Sequence, residues 1–177
     1  MTRITKHVLI STIALSITAG VVFAASVHFK NSTPVTATRY NGNLQLQVCG
    51  ALSGLGNADV DIRVVANANP TATCTNPGNN GGNEAPGQNP AQVTVTGTQH
   101  FLANQIKNGN LSFCVVTDLP PQPTPAQAGC PNGSWTAQIT CMAFTGFTLE
   151  VIQPSSTGTS VLGPTAFSVS GSASSCP

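Results

Sequence analysis

Charge is the scarcest property of this 177-residue chain, which holds six Lys or Arg and five Asp or Glu. So little charge excludes the basic surface that nucleic acid requires and the polybasic patch that holds a protein on an anionic membrane. Solubility is left to Ser, Thr, Asn, Gln and Gly. Aromatic residues are few as well, with one Trp, one Tyr and seven Phe. Sugar-stacking platforms are built from exposed aromatics. If Phe101, Phe113, Phe144, Phe147 and Phe167 fill a core, only Trp135 and Tyr40 remain for that task. There is no Cys-x-x-Cys pair, and past the N-terminal stretch only His28 and His100 occur, which excludes a zinc site of ordinary spacing. His100 has no spaced carboxylate near it in sequence, so a nucleophilic Ser, Thr or Cys lacks an evident base and His100 reads as a surface histidine.

What is present begins with a targeting pattern. Arg3 and Lys6 precede an apolar run from Val8 to Ala24, and Val22 and Ala24 place small side chains where a signal peptidase reads. The expected boundaries are a signal peptide over 1–24, a flexible polar lead-in over 25–43 and a domain over 44–177. No cysteine stands at the cut to take a lipid, so release to the outside is expected. Beyond residue 24, Lys30, Arg39, Arg63 and Lys107 stand against Asp59, Asp61, Glu84, Asp118 and Glu150. All six cysteines (49, 74, 114, 130, 141 and 176) also lie beyond it, an even set that predicts disulfides in an oxidising compartment.

Short runs of period two predict strands. Leu44, Leu46 and Val48 alternate with Gln45, Gln47 and Cys49. Val60, Ile62 and Val64 do so with Asp59, Asp61 and Arg63, after a Gly-rich stretch over 50–57 that suits a hairpin. Gln92 to Gln99 and Asn110 to Thr117 repeat the pattern, separated by a helical turn within Phe101 to Lys107. From Trp135 to Phe144 the period breaks: Trp135, Ala137 and Ile139 share a face, but the next large apolar pair is Met142 and Phe144. One extra residue restores the phase, which predicts a β-bulge and turns Cys141 outward. Thr145-Gly146 then reads as a hairpin into Phe147 to Gln153, and Thr165 to Ser170 as a last strand. Seven short strands joined by Gly, Pro and Asn predict an all-β, immunoglobulin-like sandwich.

Two long connections, Asn67 to Ala91 and Asp118 to Ser134, carry one cysteine each, and loops of that length need support. Cys74 is therefore paired with Cys130. Cys114 is paired with Cys141 if their strands adjoin, which leaves Cys49 for Cys176. A minority reading of the lead-in makes Val27/Phe29 or Val35/Ala37 a strand that docks into a neighbouring molecule.

Cys49-Gly50-Ala51-Leu52-Ser53-Gly54-Leu55-Gly56-Asn57, the loop ending Ala85-Pro86-Gly87-Gln88-Asn89, and Cys130-Pro131-Asn132 before Trp135-Thr136-Ala137 resemble a group of small secreted bacterial proteins of unassigned function. That group carries a loop of the form Cys-x-Asn-x-Gly-Gly-Asn-x-Ala-Pro-Gly-Gln-Asn, which Pro77 to Gly82 lengthens here by a residue or two. The resemblance implies a secreted β-sandwich and carries no activity.

No cofactor is expected. Asp59 and Asp61 share a strand face with Arg63 and read as a solvated charge row. The competing reading is a calcium site that draws in Glu84 or Asp118. The expected function is a non-enzymatic extracellular domain with a structural, surface or adhesive role, its partners being extracellular matrix, a glycan or a second copy. The alternative is a ligand-binding module, for glycan or calcium, at the rim of the 74–89 and 120–134 loops.

Overall fold

The computed structural model describes residues 27–78, 84–87, 89–153 and 159–176, so the expected signal peptide and its cleavage point lie outside the described residues. Two antiparallel sheets pack face to face. The first is built on β3 (Gln45–Ser53), flanked on one edge by β1 (His28–Phe29) and β2 (Thr36–Tyr40) in succession and on the other by β7 (Leu111–Val116). The second is built on two long strands, β4 (Val60–Thr75) and β8 (Thr136–Gln153). Outside β4 lie β5 (Glu84–Pro86) and then β6 (Val93–Phe101), and outside β8 lies β9 (Thr159–Ser168). Three strand positions thus face four, an immunoglobulin-like sandwich in which the fourth position, β5 with β6, pairs with the third rather than joining the first sheet.

Alternation explains the core. Val60, Ile62, Val64, Ala66 and Ala68 of β4 point inward with Phe144, Phe147, Leu149 and Val151 of β8, against Leu46, Val48, Leu52, Phe113 and Val115 of the first sheet. The β8 pattern changes phase twice. Thr140 and Thr145 are each skipped in the pairing with β4, so both phase changes are β-bulges that keep the apolar side chains inward. The bulge expected between Ile139 and Met142 is the first of them. The second corrects the hairpin read at Thr145-Gly146: the chain continues as one strand through these residues.

Other boundaries also move. Residues 25–43, read as a flexible lead-in, enter the domain from Val27, which is buried in the core, and β2 pairs with β3 from Thr36 to Tyr40. The minority expectation placed a strand of this segment in a neighbouring molecule; here β1 and β2 pair with β3 of their own chain. Asn41, Gly42 and Asn43 all take positive φ (48°, 63° and 70°), closing the β2–β3 hairpin at an Asn-Gly pair. Phe29 meets Phe167 edge-to-face at 5.3 Å, and Phe167 stacks on Phe147 at 5.1 Å, tying the first edge to β9 and β8. The Gly-rich stretch over 50–57 is no hairpin, because β3 runs on to Ser53 and the chain then crosses to the other sheet.

The stretch from Asn67, read as loop, continues β4 to Thr75. Pro70 is tolerated there. The Met142 N–H turns away from β4 to the Asn43 carbonyl (3.0 Å), so Pro70 faces the uncovered edge between β5 and β6, where no N–H is demanded. A helical turn is present as a 3-10 segment, Ala103–Gln105. The last strand begins at Thr159 rather than Thr165, and residues 154–158 before it lie outside the described residues.

Cys74 bridges Cys130 as expected, but from the end of β4 rather than from a long connection. The other expected pairs are replaced by Cys49–Cys114 and Cys141–Cys176. The reason is strand adjacency. β7 neighbours β3 rather than β8, and Cys49 and Cys114 stand directly opposite each other with Cα atoms 4.0 Å apart. Cys141 lies opposite Thr71 on the outer side of β8, within reach of the C-terminal tail. That tail makes a 3-10 turn (Gly171–Ser174) against β8 and β2 before Cys176.

Candidate functional site

β4 and β8 are longer than the sheet they face. Their distal halves carry a second apolar cluster, Ala72, Cys74, Ala128 and Ala137 with Cys130 and Trp135 packed on it, covered by the Pro-rich connection over 117–135. Small side chains on β4 let this cover approach closely. Gly87 donates to the Ala72 carbonyl (3.0 Å), and a Cβ on it would stand 2.9 Å from the carbonyl oxygens of Ala72 and Ala128.

The cover has no strand of its own, yet its hydrogen bonds are placed at both ends. Thr117 exchanges bonds with the Leu46 backbone (Thr117 N to Leu46 O, 2.9 Å; Leu46 N to Thr117 Oγ1, 3.0 Å), and Asp118 N donates to Thr96 O. Cys130 N donates to Pro125 O at 2.8 Å beside the disulfide. The outcome is a groove of about 480 Å³ between the β5–β6 connection and the cover, walled by Pro90, Pro121 and Pro123, floored by Ile139 and lined by Gln92, Gln122 and Gln127.

Prolines offer no N–H, so the glutamine amides are the side-chain donors of this groove. Two are held by their oxygens. Gln122 Oε1 accepts from Ile139 N (2.9 Å), and Gln127 Oε1 accepts from Thr124 N (2.9 Å) and Thr124 Oγ1 (3.0 Å). Their amide nitrogens have no protein partner among the described residues, while Gln92 donates to Asn69 Oδ1 at 3.4 Å and keeps its own oxygen open. Among the described residues no titratable side chain lines the groove. Sequence reading reached its two walls through their cysteines but missed the glutamines. A Pro-flanked Gln on each side, Pro90-Ala91-Gln92 and Pro121-Gln122-Pro123, was the available signal.

The acidic candidates assemble elsewhere and differently. β4 pairs with β6 so that Asp61 lies opposite His100. His100 Nδ1 donates to Asp61 Oδ1 at 2.6 Å, and its Nε2 stands 3.6 Å from Asp59 Oδ2. Asp59 Oδ1 also accepts from Ala103 N (2.7 Å), holding the start of the 3-10 turn. Arg63 is not part of this group, since it pairs with Glu150 on β8; the expected single charge row is two pairs facing opposite neighbours. His100 is thus a partnered histidine, which its sequence neighbours did not reveal.

The calcium grouping fails on distance. Glu84 opens β5 opposite Thr75, about 45 Å along β4 from Asp61. Asp118 is held beside Thr96, about 13 Å along β6 from His100. Among the described residues no group of three or more His, Cys, Asp or Glu could hold a metal ion.

The Asp61 hydrogen bond, aided by the charges of Asp61 and Asp59, holds the His100 imidazole above its ordinary pKa. A raised folded-state value stabilises the fold while the ring is protonated. That contribution is complete below the ordinary histidine value and is lost as pH rises through the raised one. A proton-detected titration of His100 should give a midpoint above that of a free histidine, and Asp61→Asn should bring it down. An unchanged midpoint in Asp61→Asn would break the assigned pair.

Of the two aromatic platform candidates, Tyr40 is exposed at the end of β2, whereas Trp135 packs partly buried against the distal cluster. Among the described residues no helix is long and apolar enough to cross a membrane. Comparison with protein-family models, curated proteins and solved structures returned no match.

Proposed function

We propose that this chain is exported and acts outside the cell as a non-enzymatic domain with a structural, surface or adhesive role, touching a neutral glycan in the proline and glutamine groove. The observation that carries this reading is the groove itself. Gln122 and Gln127 are held by their oxygens and keep their nitrogens open, Gln92 keeps its oxygen open, and the hollow lacks an acid or base among its described lining residues. Sugar hydroxyls suit such a surface, because each can accept from an amide N–H and donate to an amide oxygen. Prolines and Ile139 supply the apolar wall against which ring C–H groups pack. Support for export comes from the N-terminal charge and apolar pattern, the three disulfides and the resemblance to secreted bacterial proteins.

A neutral-glycan array followed by calorimetric titration tests it. A saturable ligand is expected, bound about tenfold more weakly by Gln127→Met and by Gln92→Met, each of which keeps bulk and removes hydrogen bonds. Silence across the array, or a ligand indifferent to both substitutions, would retire the groove as the contact site.

A further inference from the structure

A second hollow, of about 470 Å³, opens where the ends of β3 and β7 meet the 3-10 turn after β6. Phe101, Leu111 and Ala51 form its buried floor. Its lining contains two lysines, Lys30 and Lys107, and no acidic residue. This is an uneven allocation in so weakly charged a chain. Arg63 is paired with Glu150, and Arg39 donates to Asn43 Oδ1 at 3.2 Å. Neither lysine forms an ion pair among the described residues, and the nearby Asp59 and Asp61 are engaged by His100 and the Ala103 amide.

Both lysines are rooted in fixed backbone. Lys30 N donates to Ala51 O (2.9 Å), and Lys30 O accepts from Thr33 N (3.1 Å). Lys107 exchanges two 2.9 Å backbone bonds with Asn110 across the Asn108-Gly109 turn. Between them, the hydroxyl of Ser112 has no protein partner among the described residues. Gln105, its oxygen taken by Leu102 N (2.8 Å), leaves an amide nitrogen open.

We infer that this hollow binds an acidic saccharide, whose carboxylate or sulfate is met by Lys30 and Lys107 and whose hydroxyls are met by Ser112 and Gln105. Two ammonium point charges match one or two anionic groups rather than the long phosphate run of a nucleic acid. The apolar floor accepts the C–H face of a sugar ring. The volume falls in the range of small-molecule sites. This site shares no lining residue with the proline and glutamine groove and stands or falls separately from it.

The test is an NMR titration of the purified protein with a galacturonate trimer, a sulfated disaccharide and a neutral galactose trimer. Shifts are followed at the Gln105, Lys107 and Ser112 amides. Saturable shifts are expected with at least one acidic sugar, the carboxylate and sulfate arms telling which acid group is preferred, and the shifts should weaken as NaCl rises. K30Q and K107Q should each weaken binding about tenfold, K30R should restore it, and R63Q, away from the hollow, should leave it unchanged. The inference is overturned if neither acidic sugar shifts these amides or if the neutral trimer shifts them equally. It is also overturned if K30Q and K107Q, shown to be folded by their spectra, bind as the parent does.

Discussion

Gly97→Ala should cost the domain about 3 kcal/mol or more, while Gly133→Ala should stay within about 0.5 kcal/mol of the parent. At Gly97 the inward face of β6 passes directly under the end of β7. A Cβ there would stand 2.2 Å from the Val116 carbonyl oxygen and 2.8 Å from the Thr117 Cα. Both are backbone atoms that cannot rotate aside, and both neighbours are fixed: Val116 by its pairing with Gln47 of β3, Thr117 by its paired bonds to Leu46. A methyl group therefore drives the sheets apart where β7 hands the chain to the Pro-rich cover. At Gly133 nothing lies within 4 Å of the same added atom. Urea unfolding measures the difference, with an unchanged slope showing that the loss belongs to the native state. Equal midpoints for Gly97→Ala and the parent would mean that β6 and β7 do not cross as described.

Replacing Cys74 and Cys130 together by Ala should remove about 4 kcal/mol through the entropy of the 56-residue separation they close. The same treatment of Cys141 and Cys176, separated by 35 residues, should cost nearly as much. The two variants part company in what they loosen. Cys74–Cys130 ties the cover to β4 over a small cluster of three alanines and Cys74, with Cys130 and Trp135 packed on it, and little apolar area to hold the cover by burial alone. Its loss should open the amides of residues 117–135 to hydrogen exchange and abolish ligand binding in the groove. Loss of Cys141–Cys176 frees the C-terminal tail and should leave both readouts as in the parent. Cover amides that stay equally protected without Cys74–Cys130 would show that the hydrogen bonds of Thr117, Gln122 and Cys130 suffice.

Local pattern determined a good deal of this protein. Period-two alternation located the inward residues of β3, β4, β6 and β7, and the phase change after Ile139 marked a bulge. These were legible because an alternating strand records its buried face in its own residues. The same rule became unreadable past Asn67, where inward Ala68, Ala72 and Cys74 are small and Pro70 imitates a loop, and at Thr145, where a second phase change looked like a turn. The hairpin closed by Asn41-Gly42-Asn43 was missed, because its first strand, Thr36–Tyr40, is short and polar.

What only the tertiary structure decided is adjacency. Cys49 meets Cys114, Asp61 meets His100, and Lys30 shares a hollow with Lys107 because of which strands adjoin and in what register. Register depends on the joint burial of two faces and the length of a crossover, properties of pairs of segments that no single segment carries.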